Sequence, residues 1–150
     1  MHIEDEIKQG KEFTSEYEKL AINILFTASW LDSKNIQRFK PFGISPQQYN
    51  VLRILRGSNP KPLMLGDIAS RMIDKNSNTT RLVEKLRLKN FVKREVCENN
   101  RRQVDISITT QGITLLAAID IDAENWIKIL KNIDLQKAIT ANQLLDSLRD

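Results

Sequence analysis

The chain has 150 residues, of which 41% are apolar and 28% charged, with a net charge of +4. That size and balance suit one globular domain with a core that needs no disulfide or metal staple, and five glycines and four prolines are too few for a turn-rich all-β sandwich. The longest near-continuous apolar run, Ile113 to Ile119, falls far short of the roughly 18 residues that cross a bilayer, and one histidine (His2, beside the N-terminus) allows neither a Ser/His/Asp triad nor a His/Cys zinc site.

In chain order, residues 1–10 are polar and read as a loose end. From Lys11 to about Phe39 the pattern is helical. Phe13, Tyr17, Leu20, Ile24 and Leu31 form one stripe, and Ile22, Phe26 and Trp30 a second. A helix apolar on two sides needs two partners, one of which is expected to be another subunit. Pro41-Phe42-Gly43-Ile44 breaks it. Ser45 then offers an N-cap, Pro46 a first helical residue and Gln48 the spacing of a capping box. The helix that follows carries Tyr49, Leu52, Ile54 and Leu55 inward and ends near Gly57; 58–62 is a loop.

Leu63-Met64-Leu65 reads as a strand stub and Gly66 to Met72 as a short helix. A tight turn over Ile73 to Asn76 leads to a helix capped by Asn76 or Ser77 and running to Lys89, where Asn90 supplies the left-handed stop. Phe91 to Cys97 and the alternating Val104, Ile106 and Ile108 make a hairpin, with Glu98-Asn99-Asn100-Arg101-Arg102 as its polar, basic tip. Thr109-Thr110 caps a helix to about Asn132, and a last helix spans about Leu135 to Leu148. The fold class is therefore mainly α with a small β-hairpin: a winged helix-turn-helix between outer helices.

Charge is unevenly spread. Arg53 to Arg102 holds 13 Lys+Arg against 5 Asp+Glu, or +8, while the remainder holds 10 against 14, or −4. A basic block in an acidic frame is the footprint of a polyanion-binding module. On the helix from Ser77, a 100° rotation per residue puts Thr79, Leu82, Val83 and Leu86 on the core side. Ser77, Asn78, Thr80, Arg81, Glu84 and Lys85 face outward. Asn reads adenine, Arg reads guanine, and Ser or Thr serves phosphates. Glu84 is expected to pair with a nearby cation. The candidate DNA-binding residues are Ser77, Asn78, Thr80, Arg81, Lys85, Asn100, Arg101 and Arg102, with the two arginines entering a flanking minor groove. The alternative is a winged-helix protein-interaction module without DNA binding, which requires an apolar patch around Arg81.

Leu65-Gly66-Asp67-Ile68-Ala69-Ser70-Arg71-Met72, the run from Ser77 to Leu86, Asn90-Phe91-Val92-Lys93-Arg94, Asn100-Arg101-Arg102 and Ile108-Thr109-Thr110-Gln111-Gly112 resemble the MarR family of winged-helix transcriptional regulators. Asn90 stands where the family usually has Gly, and Asn100 where it usually has Asp. The resemblance implies a single MarR-like domain, with residues 42–116 binding DNA and 11–40 and 117–150 forming dimerisation helices. It also implies a homodimer on a palindromic operator, and often a repressor released by a small aromatic or phenolic ligand held between the dimer and DNA-binding regions. No cofactor, metal or enzymatic activity is expected. The acidic N-terminus argues against a signal peptide, and a single cysteine, Cys97, fits a reducing cytoplasm and reads as a strand residue without redox role. Trp30 and Trp126 read as packing residues, and Asp120, Asp122 and Glu124 as solvated surface.

Overall fold

The computed structural model describes all 150 residues, which form two compact units, 1–49 and 50–150. The elements are α1 (Ile3–Glu6), α2 (Glu16–Phe39), α3 (Pro46–Ser58), α4 (Leu65–Arg71), α5 (Thr79–Leu88), β1 (Val92–Cys97), β2 (Asn100–Ile108), α6 (Thr110–Ile121), α7 (Ala123–Lys128) and α8 (Leu135–Ser147). The fold is mainly helical with one antiparallel hairpin, as the sequence pattern requires. No helix is long and apolar enough to cross a membrane.

In the first unit residues 3–6 form a short helix within the segment that reads as a loose end. Ile3 of α1 is buried, and Glu4 is paired with Lys19 at 2.5 Å. Helix α2 starts at Glu16 and not at Lys11, because Ser15 Oγ accepts the Glu18 N–H at 3.2 Å and caps it there. Phe39 is the one buried residue of α2; its ring lies 4.3 Å from that of Tyr49, with the Arg38 guanidinium 4.9 Å over Phe39. No residue of either apolar stripe is fully buried in one chain: Tyr17, Leu20 and Trp30 are exposed, and Phe13, Ile22, Ile24, Phe26 and Leu31 are half-buried.

Gly43 at φ 70° closes the short 3-10 turn Lys40–Phe42 that ends α2. The capping box at α3 is reciprocal: Gln48 N–H donates to Ser45 Oγ at 3.1 Å, and Ser45 N–H donates to Gln48 Oε1 at 2.9 Å. Ser45→Ala removes the acceptor half. It is expected to cost about 1 kcal/mol, read as a shift in the urea midpoint at unchanged slope.

The second unit is built around Val51, Leu52, Leu55, Ile68, Met72, Val83, Leu86, Ile106 and Leu116, all buried. The strand stub is a single bridge: Leu63 and Ile106 exchange both backbone hydrogen bonds at 2.9 Å, which ties the start of α4 to the wing. Asn50 Oδ1 accepts the Ile73 N–H at 2.9 Å and fixes the turn after α4 on α3. Asn90 adopts φ 62° as expected, and its carbonyl accepts from Thr109 Oγ1 at 2.7 Å.

The expected helix over 110–132 is broken at Asp122, which leaves helical geometry and accepts from Asn125 Nδ2 at 2.9 Å; α7 follows as a separate short helix. The apolar pattern runs through Asp122 and does not reveal the break. Asp120 pairs with Arg56 at 2.7 Å, and no group of three metal-ligating side chains occurs. Helix α8, capped by Asp134 at 2.8 Å, buries nothing and exposes Leu135, Leu144 and Leu148.

Candidate nucleic-acid interface

Helix α5 begins at Thr79, capped by Asn78, whose Oδ1 accepts the Arg81 N–H at 3.1 Å. The expected caps, Asn76 and Ser77, are instead spent in the preceding turn: Asn76 N–H bonds Asp74 Oδ1 at 2.9 Å and Ser77 N–H bonds the Asp74 carbonyl at 3.2 Å. Two outward residues change role as a result. Ser77 precedes the helix, and its Oγ is buried without a hydrogen-bond partner. Asn78 keeps its amide N–H₂ exposed while its oxygen serves the helix end.

The remaining assignments on α5 stand. Thr79, Val83 and Leu86 are buried, Leu82 is half-buried, and Thr80, Arg81 and Lys85 are exposed. Taking about 100° per residue, Arg81 and Leu88 lie within about 15° of the direction opposite the buried side, with Glu84 and Lys85 about 50° to either side of it. Leu88 is the one apolar residue on this face, and it is 66% exposed.

Glu84 pairs with a cation, as expected, and the cation is Arg87. Nε donates to one carboxylate oxygen at 3.0 Å and Nη2 to the other at 2.7 Å. That hydrogen-bonded guanidinium holds the Glu84 carboxyl below the usual carboxylate range, with the charge of Arg94 adding to it, and the Arg87 guanidinium is raised in turn. Glu84 therefore stays ionised throughout the physiological range.

The wing is built differently from the expected basic tip. Val92 to Val96 pair regularly with Ile108 to Val104, and then Cys97 pairs with Asn100. The turn is Glu98-Asn99 alone, which places Arg101 and Arg102 inside β2 at a shift of register and not at the tip. Two-residue connections are favoured because their twist matches the strands, and a string of polar residues does not say which two will be used. Asn100 Oδ1 accepts the Arg102 N–H at 3.1 Å and holds the start of β2.

The two arginines have separate surroundings. Arg101 is exposed on the hairpin. Arg102 lines a cleft of about 300 Å³ between the wing, the start of α4 and the first turns of α5. Met64, Leu65, Val83, Val104 and Ile106 give this cleft apolar walls, and Thr80, Arg94 and Arg102 give it donors. Arg94 was absent from the sequence-based candidates, as was Arg87. Both lie in the basic block; Arg87 stands three residues from Glu84 on one helix, a spacing the sequence carries, whereas only the fold brings Arg94 to Arg102.

Residues 44–104 match the MarR family model, which covers most of the winged-helix region. Among solved structures, a MarR transcription factor from Planctomyces limnophilus is similar over 92% of this chain and 96% of its own, with 25% identity and a TM-score of 0.68. A mutant MarR from E. coli in complex with operator DNA is 19% identical, with a TM-score of 0.79 and coverage of 92% and 99%. The S. aureus MepR-DNA complex is 21% identical, with a TM-score of 0.76 and coverage of 91% and 97%. No curated protein sequence is significantly similar to the chain. The capped helix α5, the irregular basic wing and these matches agree: the segment from Ile44 to Val104 is similar to the MarR family, and the chain shares the fold of the solved MarR-family regulators.

Proposed function

We propose that the protein is a cytoplasmic, dimeric, sequence-specific DNA-binding repressor whose affinity for its operator is lowered by a small anionic ligand. The observation that carries DNA binding is the exposed face of α5. Arg81 and Lys85 stand free of any carboxylate partner, the one acid there is neutralised by Arg87, and Arg101 adds a cation on the wing. Thr80, Asn78 and the positive end of the helix dipole suit phosphates and base edges. The operator DNA in the E. coli MarR complex and the DNA bound to MepR support the same reading.

The dimer is supported by the outer helices. α8 buries no residue, and Leu20, Leu25, Trp30 and Ile36 of α2 are exposed. This much apolar surface on long helices is rarely left in water. Two-fold symmetry then presents two α5 helices to half-sites about one helical turn apart. The rival reading, a protein-interaction module, lacks its required patch, since Leu88 stands alone among charged neighbours.

The ligand reading rests on the cleft. Two guanidinium groups and a threonine hydroxyl over an apolar floor suit an aromatic carboxylate or phenolate. An anion there would draw Arg102 and Thr80 away from phosphate. Duplexes recovered from a random-sequence pool provide the assay. Binding should fall linearly with log salt, and millimolar hydroxybenzoate should weaken it. Arg101→Ala should lower the salt slope by about 1 and leave ligand sensitivity intact, whereas Arg94→Ala should abolish that sensitivity. A salt-independent complex would refute the DNA reading, and an Arg94→Ala protein with undiminished response would refute the ligand site.

A further inference from the structure

We infer that Glu84 is a specificity-determining residue that accepts a hydrogen bond from the exocyclic amino group of a cytosine in the major groove; this rests on α5 being the DNA-reading helix. Glu84 lies on the outward half of α5, one turn beyond Thr80 and Arg81, so any duplex met by those side chains also meets Glu84. A bare carboxylate at such a place would be repelled by two rows of phosphates. Here the repulsion is cancelled in advance. Arg87 contacts both carboxylate oxygens, at 3.0 Å through Nε and 2.7 Å through Nη2, from the flank of the helix and not from the reading face.

The geometry leaves an acceptor to spare. An ionised carboxylate has about four lone-pair sites, and the side-on guanidinium occupies two. The other two remain open, and the side chain is 41% exposed. The carboxylate is thus a fixed, electrically balanced group that can only accept. Cytosine offers a lone amino donor at its major-groove edge, while guanine offers acceptors and thymine an acceptor beside a methyl. Adenine also has an amino group, but with an adjacent acceptor at N7 that a carboxylate meets unfavourably. An ion pair kept merely to support the helix would be as effective anywhere on the surface of α5 and would carry no base preference.

The experiment is selection of bound duplexes from a random-sequence pool by the full-length protein, its E84A variant and its E84Q variant, with thermal melting of each. The wild-type protein should enrich a cytosine at one position per half-site. Glu84→Ala should lose that preference by on the order of 10- to 100-fold while every other position keeps its own. Glu84→Gln, which keeps shape and can donate as well as accept, should shift the preference at the same position towards adenine. An E84A profile identical to wild type, or a loss spread evenly over all positions, would overturn the inference with the DNA reading intact. Enrichment of no sequence by the wild-type protein would overturn the DNA reading and with it this inference.

Discussion

Gly112→Ala should destabilise the protein by about 3 kcal/mol or more, the largest loss expected from adding one methyl group anywhere in the chain. Gly112 is buried in the first turn of α6, where its N–H donates to Thr109 Oγ1 at 3.1 Å. A Cβ at this position would press into the backbone carbonyl of Phe91 and lie 2.7 Å from Ile108 Cγ1. The isoleucine could turn aside, but the carbonyl cannot. It accepts the Thr109 N–H at 3.0 Å and is held at the foot of the wing, where Val92 pairs with Ile108. Relief would have to come from lifting α6 off the hairpin. Urea denaturation and thermal melting check the size of the loss. Gly66→Ala is the control, because a Cβ there meets nothing within 4 Å. It should be neutral or slightly stabilising, since alanine is the better helix former by roughly 0.8 kcal/mol.

Replacing Arg81 and Lys85 together by alanine should cost more binding than any other surface change while leaving stability within about 0.5 kcal/mol of wild type. Both side chains are exposed on the outward face of α5 and support nothing beneath them. Alanine preserves the helix, so the loss would report on contacts with DNA. An arginine placed bidentately on a guanine contributes about 1–3 kcal/mol of discrimination, and a lysine on a phosphate adds about one unit to the salt slope. The double variant should therefore bind its selected duplex at least about 10-fold more weakly and relax one base position, with a shallower dependence on salt. Fluorescence anisotropy over a range of salt concentrations gives affinity and slope together.

Much of this site is legible in the sequence because its signals are local. The Ser45/Gln48 capping box, the left-handed Asn90, the buried Thr79, Val83 and Leu86 and the cap at Thr109 each depend on residues within one or two turns. Where the structure departs from the local pattern, the cause is a partner outside that pattern. By sequence Ser77 reads as a cap because it stands at the right distance from an apolar face, but Asp74 takes its N–H and that of Asn76 first, leaving Asn78 to start the helix. Arg101 and Arg102 read as a tip because they end a polar run. Which residues turn is decided by pairing across the strands, and the Cys97 to Asn100 pair moves both arginines into β2. The cleft was beyond sequence reasoning altogether. Arg94 and Arg102 belong to different strands, and Met64 and Thr80 to different helix starts, so their convergence exists only in the packed unit.

The central claim, that the outward face of α5 and the exposed Arg101 of the wing meet a duplex together, is tested most directly by mapping backbone amide resonances during titration with a selected duplex. Perturbations should concentrate at Asn78 to Lys85 and at Asn100 to Arg102, and fade as salt rises. Perturbations confined to α2 and α8, with α5 and the wing silent, would contradict it.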